Sequence, residues 1–281
     1  MKQHVRKPEW LKVKIGTNLR YTETKKIVEN NCLHTICSSG RCPNLGECWG
    51  RGTATFMIAG DLCTRSCKFC NTQTGKPLAL DPNEPNNLAR SISLMKLEHA
   101  VITSVDRDDL DDLGAQHWAD TIKRVKEVNP NTTLEVLIPD FQGRKELIKL
   151  VIDAEPDIIS HNMETVRRIS PEVRSVATYN QSLAVIKQIA DSNTRSKTGI
   201  MVGLGETPEE VYELMDDLVN INCKILTIGQ YLQPSRKHYP VKEYVTPKQF
   251  DIYKDIGLKK GFEVVESGPL VRSSYHAEKH I

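Results

Sequence analysis

Six of the eight cysteines in this chain fall into two groups of three, both within residues 37–70. The first group has the spacing CX4CX5C and the second CX3CX2C; their members are Cys37, Cys42 and Cys48, then Cys63, Cys67 and Cys70. Thiolate sulfur binds both zinc and iron–sulfur clusters, so each group could hold a metal centre. Neither spacing is that of the paired CXXC motifs of a structural zinc ribbon.

Two kinds of metal centre are compatible with three closely spaced thiols. A zinc ion could be completed by a histidine such as His34 or His99. A [4Fe–4S] cluster held by three cysteines would leave its fourth iron without a protein ligand. Such an iron can bind a substrate or cofactor directly, as the open position of a catalytic zinc binds water. Spacing alone leaves both alternatives open, and metal-free cysteines are a third.

The overall composition is that of an ordinary globular protein, with 39% hydrophobic and 26% charged residues. The 38 basic and 36 acidic side chains nearly balance, which gives no indication of nucleic-acid binding. The first residues lack the apolar core of a secretory signal, and no apolar run is long enough to span a membrane. We therefore expect a cytoplasmic protein, in which cysteines are metal ligands or redox groups rather than disulfides.

The elements that would position these cysteines begin near residue 53. Six segments rich in Val, Ile and Thr, and apolar nearly throughout, predict parallel strands at residues 53–59, 99–103, 133–138, 157–160, 198–202 and 224–228. Apolar residues at steps of three and four predict helices between them, one of them from Ala115 to Val128. Thr207 and Thr246, each followed by proline, mark two more helix starts, and the second of these helices should end near Gly261.

Six βα units in series predict an α/β fold, a partial TIM-type (β/α)6 barrel with extensions at both ends. A flat doubly wound sheet is the alternative, but no GXGXXG follows the first strand. We divide the chain into an N-terminal extension (1–52) without a recognisable helix or strand pattern, the barrel (53–261), and a C-terminal segment (262–281) with one more short strand. The CX3CX2C group follows the first strand, where barrels of this kind build their active sites.

The second cysteine group carries a resemblance to a known family. The segment CTRSCKFC, in which Phe69 precedes the last cysteine, resembles the CX3CXΦC signature of the radical S-adenosylmethionine superfamily. The resemblance implies a [4Fe–4S] cluster on these cysteines, whose open iron binds the amino and carboxylate groups of S-adenosylmethionine. One electron from the cluster would then cleave the sulfonium to a 5′-deoxyadenosyl radical.

The same resemblance suggests further contacts to S-adenosylmethionine, at Phe69, Asn162, Glu164, Met201 and Gly203. Met201 and Gly203 lie in a segment, residues 199–206, that resembles the superfamily's GXIXGXXE near the adenine, with Met201 in place of the isoleucine. A tight strand-to-helix turn is the alternative for this segment. Asn162 and Glu164 are expected near the ribose hydroxyls, and helix capping is the alternative for Asn162.

Three stretches together resemble the lipoyl synthase family: CX4CX5C before the first strand, CX3CX2C after it, and GPLVRSSYHA at 268–277. This resemblance implies a second [4Fe–4S] cluster on the first cysteine group, with a serine of the RSSY motif as its fourth ligand. We favour Ser274 over Ser273; a solvated turn is the alternative for two adjacent serines. This second, auxiliary cluster would donate sulfide and be consumed in turnover.

Lipoyl synthases insert two sulfur atoms, at C6 and C8 of an octanoyl chain carried on a lysine of a lipoyl-carrier protein. The resemblance therefore implies a radical sulfurtransferase that uses two S-adenosylmethionine molecules per lipoyl group and a low-potential electron donor. Its partners would be octanoylated lipoyl domains of 2-oxoacid dehydrogenases and the H protein of glycine cleavage. Hydrogen-atom abstraction is the remaining route at these carbons, because no neighbouring group acidifies the C–H bonds for acid–base catalysis.

Other cations and cysteines carry weaker indications. The N-terminal segment is basic, and its default interpretation is a solvated arm; contact with acidic carrier proteins is a further hypothesis. The basic residues are Lys2, Arg6, Lys7, Lys12, Lys14 and Arg20. Arg41 and Arg65 lie within the cysteine loops and could steady anionic clusters. Cys223 is expected to be a small core residue, and Cys32 has no assigned role.

Alternative functions remain open at this point. Biotin synthase and the tRNA methylthiotransferases also insert sulfur. The former lacks the upstream cysteine triad, and the latter carry their extra cluster in a larger N-terminal domain. A zinc-binding scaffold without catalysis is the alternative from a different class.

Overall fold

The structure, a computed structural model, describes residues 6–13, 19–31, 33–51, 53–275 and 277–280. Cys32, Lys2 and Lys14 lie outside these residues. Within them, none of the helices combines the length and the apolar character needed to cross a membrane.

Most strands of the protein belong to one sheet. The strands are β1 (His34–Thr35), β2 (Thr55–Ile58), β3 (Leu62–Cys63), β4 (Gln73–Thr74), β5 (His99–Ser104), β6 (Thr133–Leu137), β7 (Ile158–Ser160), β8 (Arg195–Val202), β9 (Ile225–Gln230) and β10 (Val264–Gly268). The large sheet has the order β1-β2-β5-β6-β7-β8-β9-β10, and β3 pairs with β4 separately. Strands β2 to β10 of the large sheet are parallel to their neighbours, while β1 is antiparallel to β2. The predicted α/β fold with six successive parallel strands is confirmed, and β10 extends the series.

Helices connect these strands. They are α1 (Leu19–Asn30), α2 (Ile36–Ser39), α3 (Leu45–Gly50), α4 (Glu84–Met95), α5 (Ala115–Val128), α6 (Lys145–Ile152), α7 (Ser170–Val173), α8 (Tyr179–Ala190), α9 (Pro208–Asn220) and α10 (Pro247–Lys260), with 3-10 turns at Glu9–Leu11, Phe141–Gly143 and Ala277–His280. The predicted start of α9 is confirmed, because Thr207 and Glu210 form a reciprocal capping box. Thr246 caps α10, which ends one residue before Gly261 as predicted.

The N-terminal extension is structured, and the expectation that it lacks helix and strand was wrong. Helix α1 was missed because its apolar residues do not repeat at helical spacing: Thr24 and Val28 are its buried residues, while Leu19 is exposed. It packs instead through Tyr21, whose ring lies 5.4 Å from that of Trp49 in α3. Strand β1 then pairs with β2, so residues 34–35 extend the barrel sheet. The division at residues 52 and 261 stays a prediction.

The parallel strands place apolar and polar residues on opposite faces. Their outward residues form two apolar clusters with the surrounding helices: Phe56, Ile102 and Val136 in one, Ile200 and Ile228 in the other. Alternate residues include polar and charged side chains, namely Thr55, Thr103, Glu135, Lys197 and Thr227. The strands are therefore not apolar throughout as predicted, because the barrel interior holds buried polar side chains rather than a second layer of helices.

A buried ion pair joins two of these strands. Lys197 Nζ on β8 lies 2.7 Å from both carboxylate oxygens of Glu135 on β6, and both side chains are fully buried. His99 Nε2 lies 4.0 Å from Glu135, and burial lowers the pKa of His99 to about 4. The pair compensates two charges that would be costly in this interior if either were alone.

The C-terminal segment after β10 enters the barrel and passes close to two glycines of the barrel strands. A Cβ at Gly229 on β9 would collide with the carbonyl oxygen of Val271. A Cβ at Gly199 on β8 would lie 3.1 Å from Ser273 Oγ and 2.6 Å from Thr227 Oγ1. These positions need glycine because the segment 271–273 approaches the strands closely.

Candidate metal centres and cofactor cavity

The first cysteine triad is built on two short helices and the turn between them. Cys37 lies in α2, Cys48 lies in α3, and the Cys42 amide donates to the Cys37 carbonyl at 3.0 Å. Trp49, which follows Cys48, is buried in the apolar cluster against α4 and α5. The triad is thus anchored to the barrel wall rather than carried on a free arm.

The C-terminal serines reach this triad from the far end of the chain. Asn44 Nδ2, between Cys42 and Cys48, donates to the Leu270 carbonyl at 2.7 Å. Thr55 Oγ1, at the start of β2, lies 2.7 Å from Ser274 Oγ. Ser273 points elsewhere, because its Oγ lies 3.0 Å from Asn162 Nδ2 after β7. The two serines therefore serve different parts of the interior.

The second triad lies in the loop that follows β2, and neighbouring loops fix its geometry. Backbone amides of Arg65 and Asp106 each point at Cys63 Sγ from 3.4 Å. Cys67 Sγ lies 3.5 Å from Ser175 Oγ, in the loop after α7. The two triads are also linked, because Asn71 Nδ2 donates to the Ser39 carbonyl at 2.8 Å.

A cavity of about 520 Å³ lies between the two triads. Cys37 and Cys42 line one part of it, and all three cysteines of the second triad line another. A second cavity of about 370 Å³ lies beyond the first triad and is lined by Cys37, Cys42 and Cys48. Ser274 and Arg272 line both cavities, while Ser273 lines the larger one.

Burial raises the pKa of the candidate thiol ligands. The pKa of Cys48 and that of Cys63 are each raised to about 12, and those of Cys37, Cys42 and Cys70 are raised as well. Metal binding must therefore release protons from these thiols, which makes it pH-dependent.

The donor set suits a metal centre of the thiophilic kind. Each triad offers three thiols, and Ser274 lines the same cavities as Cys37 and Cys42 of the first triad. Among the described residues, no three His, Cys, Asp or Glu side chains are arranged to bind a single metal ion.

Four of the five residues predicted to contact S-adenosylmethionine line the larger cavity: Phe69, Asn162, Glu164 and Met201. Gly203 does not line it. At φ 96° its Cβ would collide with Gln230 Nε2, and Glu206 accepts hydrogen bonds from the Gly203 and Leu204 amides. The segment thus forms the tight strand-to-helix turn that the sequence left as an alternative. The cofactor contacts themselves stay predictions.

Arg65 is paired with carboxylates and does not face a cluster as a free charge. Its guanidinium lies 2.8 Å from Asp140, 2.7 Å from Asp108 and 3.1 Å from Asp106, and its side chain is 5% exposed. The three aspartates come from the loops after β5 and β6, and they raise the Arg65 pKa against the opposing effect of burial. Arg65 therefore clamps the cysteine loop to those loops. Arg41 is exposed and also lines the larger cavity.

Sequence reasoning missed two residues that shape the site. Arg174 lines the cavity and donates to Ser182 Oγ at 2.7 Å. His238 Nε2 lies 2.9 Å from the Cys70 carbonyl, and Ser235 orients the ring at 2.8 Å. The position of His238, eight residues past the carboxyl end of β9 in YLQPSRKH, was too distant from the cysteines in sequence to signal this contact.

Helix α4 was not predicted, although its sequence indicates a helix. Its buried apolar residues, Leu88, Ala89, Ile92 and Met95, repeat at helical spacing. The stripe predicted for α5 is correct except at Val128, which is 37% exposed at the helix end. Cys223 is buried at 2% exposure, which confirms its expected core position.

The buried His161 predicts a loss of stability in acid. Its ring lies 3.0 Å from the Ile138 carbonyl and 2.9 Å from Ser182 Oγ, and burial, reinforced by Arg174, lowers its pKa to about 4. In the unfolded chain His161 is therefore protonated below about pH 6.5, whereas in the folded chain it is protonated only below about pH 4. This contribution to stability is present above pH 6.5 and is lost as the pH falls toward 4.

We expect His161 to account for about 2 kcal/mol of the free energy of unfolding lost between pH 7 and pH 5. Urea unfolding of the reduced, metal-free protein at the two pH values measures this loss. His161→Gln should show a smaller loss than the wild type, and an equal loss in both proteins would contradict the assignment.

The sequence comparisons agree with one another. The profile of the Radical SAM superfamily matches residues 57–218. A lipoyl synthase of Bacteroides fragilis is 75% identical over 99% of this chain and 97% of its own. A lipoyl synthase of Bacteroides thetaiotaomicron is 74% identical over the full length of both, and one of Porphyromonas gingivalis is 62% identical.

Solved structures show the same fold at low sequence identity. Streptococcus suis SuiB bound to S-adenosylmethionine has a TM-score of 0.62 at 11% identity, over 81% of this chain and 55% of that one. Methylornithine synthase has a TM-score of 0.56 at 11% identity, over 90% and 83%. With two cysteine triads facing one cavity in such a barrel, and relatives this similar over nearly the whole chain, the chain belongs to the lipoyl synthase family of radical S-adenosylmethionine enzymes.

Proposed function

We propose that this enzyme inserts two sulfur atoms at C6 and C8 of an octanoyl group carried on a lysine of a lipoyl-carrier protein. It would use two S-adenosylmethionine molecules for each lipoyl group. Two [4Fe–4S] clusters would be required, one on Cys63, Cys67 and Cys70, the other on the first triad with Ser274.

The observation that carries this proposal is that both triads line one cavity of about 520 Å³. A substrate carbon placed there could be reached from both sides, by S-adenosylmethionine at one triad and by sulfur at the other. The position of the Ser274 hydroxyl, 2.7 Å from Thr55 Oγ1, supports Ser274 over Ser273 as the fourth ligand of the first-triad cluster. Ser273 is engaged with Asn162 instead.

When bound, the clusters would supply the electron that cleaves S-adenosylmethionine and the sulfide that is inserted. The protein's own residues orient and enclose the reactants. Leu137, Ile138 and Leu232 supply apolar wall for an aliphatic chain. Asn162 and Glu164 supply polar groups where a ribose could bind, and burial raises the pKa of Glu164.

The test combines metal analysis with a defined substrate. Anaerobically purified protein should contain about eight irons and eight sulfides per chain. With S-adenosylmethionine, a strong reductant and an octanoyl-lysine peptide, mass spectrometry should detect gain of two sulfurs. Zinc without visible absorbance would overturn the proposal, and 5′-deoxyadenosine without sulfur insertion would point to another radical enzyme.

The adjacent serines provide a matched pair of variants. Ser274→Ala should lower sulfur insertion by at least about a hundredfold and reduce the iron content, because the first triad would lose its fourth ligand. Ser273→Ala removes the same hydroxyl one residue away and should retain both iron and S-adenosylmethionine cleavage. Iron analysis and product mass check this prediction, and the reverse ranking would assign the ligand to Ser273.

We further propose that the low-potential electron donor docks beside the second triad. Four exposed cations lie there: Lys68, Arg236, Lys237 and Lys242. A hydrogen bond from the Tyr239 amide to the Lys68 carbonyl, at 2.8 Å, holds residues 236–242 beside Lys68. This charge would attract an acidic donor protein by electrostatic steering.

The rate of S-adenosylmethionine cleavage driven by an acidic flavodoxin- or ferredoxin-type donor should therefore fall at least about threefold between 50 and 300 mM salt. The rate driven by a small chemical reductant is the control and should change little. Equal salt dependence of the two rates would contradict the docking site.

A further inference from the structure

Arg272 occupies a position that the proposed chemistry has not used. It precedes the two serines and lines both cavities together with Cys37, Cys42 and Ser274. A Cβ at Gly229 would lie 3.3 Å from its Nη1, which places the guanidinium against β9. The segment that carries Arg272 is fixed by the Asn44 and Thr55 contacts of its neighbours.

The guanidinium of Arg272 has little compensation in the protein itself. Its hydrogen bond is to the carbonyl of its own neighbour, Val271, at 2.6 Å, and within the described residues no carboxylate lies at ion-pair distance from it. Arg65 shows the contrast, because three aspartates surround that guanidinium.

The Arg272 side chain is half-buried and has no carboxylate partner among the described residues. A half-buried cation of this kind indicates that an anion belongs beside it.

The loaded first triad would be such an anion. Three thiolates and the Ser274 oxygen around an oxidised cluster core give a formal net charge of about −2. We propose that Arg272 is the charge partner of the cluster on Cys37, Cys42 and Cys48, which it helps to retain and whose reduction potential it raises. This inference rests on the proposed function, since it requires a cluster on the first triad.

The role proposed for Arg272 differs from that of a residue needed only for folding. In the metal-free protein the guanidinium is poorly compensated, so its removal should not destabilise the fold. In the loaded protein its removal should weaken only the first-triad cluster. Arg41 provides a matched control, because it lies between Cys37 and Cys42 but is exposed, where solvent screens its charge.

The experiment compares wild type, Arg272→Gln, Arg272→Lys and Arg41→Gln, each purified anaerobically with its clusters. Iron release to a chelator should occur in two phases of about four irons each, and Cys42→Ala, which keeps only the second-triad cluster, identifies which phase is which. Arg272→Gln should accelerate the first-triad phase about tenfold, the loss expected for one charged hydrogen bond, and leave the other phase unchanged.

Arg272→Lys should restore most of the retention, and Arg41→Gln should match the wild type. A redox titration followed by electron paramagnetic resonance should show the first-triad cluster of Arg272→Gln at a more negative potential. The metal-free Arg272→Gln protein should melt no lower than the metal-free wild type.

The outcomes separate this inference from the proposed function. A wild-type protein that contains about four irons, or zinc, would contradict the proposed function, whatever the Arg272 variants show. A wild type with about eight irons, but an Arg272→Gln variant of unchanged release and potential, overturns the inference alone. Lower melting of the metal-free variant also overturns it, because Arg272 would then act through the fold.

Discussion

A Cys42→Ala variant is expected to keep about four irons per chain and to lose dithiolane formation, while it still cleaves S-adenosylmethionine. The reason lies in the separation of the two triads. Cys42 is held within the first triad, because its amide donates a hydrogen bond to the Cys37 carbonyl at 3.0 Å. Removing one thiol should therefore empty the first site without disturbing the loop that holds Cys63, Cys67 and Cys70.

The measurements are iron and sulfide content, 5′-deoxyadenosine yield, and the mass of an octanoyl-lysine peptide. We expect sulfur insertion to fall by at least about a thousandfold, because the sulfur source itself is lost. Cys223→Ala is the matched control: it removes a thiol that is buried in the core away from both triads. It should retain about eight irons, and dithiolane product from Cys42→Ala would end the two-cluster proposal.

The second large effect is expected on stability, at the buried pair of Lys197 and Glu135. Lys197→Met should lower the free energy of unfolding by about 3–5 kcal/mol, because it leaves the Glu135 carboxylate buried without its partner. Burial already raises the pKa of Glu135 despite the opposing Lys197 charge. The unpaired carboxylate would therefore take up a proton, which partly limits the loss.

The double variant Lys197→Met with Glu135→Leu tests the cause. Replacing both charges with apolar side chains of similar size should recover most of the lost stability. Urea unfolding of the metal-free wild type and of the two variants measures these changes. A double variant as unstable as Lys197→Met would mean that packing, and not the unpaired charge, sets the cost.

Much of the barrel could be predicted because local patterns determine it. Runs of β-branched residues gave strands β2 to β9 of the large sheet, and the Thr-Pro starts of α9 and α10 are capped as expected. Helix α1 could not be predicted this way, since its stability comes from contacts such as that of Tyr21 with Trp49 rather than from an apolar stripe. The polar inward face of the strands was missed because a sequence does not indicate which face encloses a cavity.

The candidate site likewise has features that local sequence determines and features that only folding determines. The residue types and spacings determined the two cysteine triads by themselves, since ligand chemistry is local to CX4CX5C and CX3CX2C. Only the tertiary structure decided that both triads line one cavity, that Ser274 contacts Thr55 while Ser273 contacts Asn162, and that Arg65 is paired with aspartates while Arg272 is not. The physical reason is distance along the chain: residues 226 positions apart, such as Asn44 and Leu270, meet through folding, and no local pattern encodes where a returning segment lies.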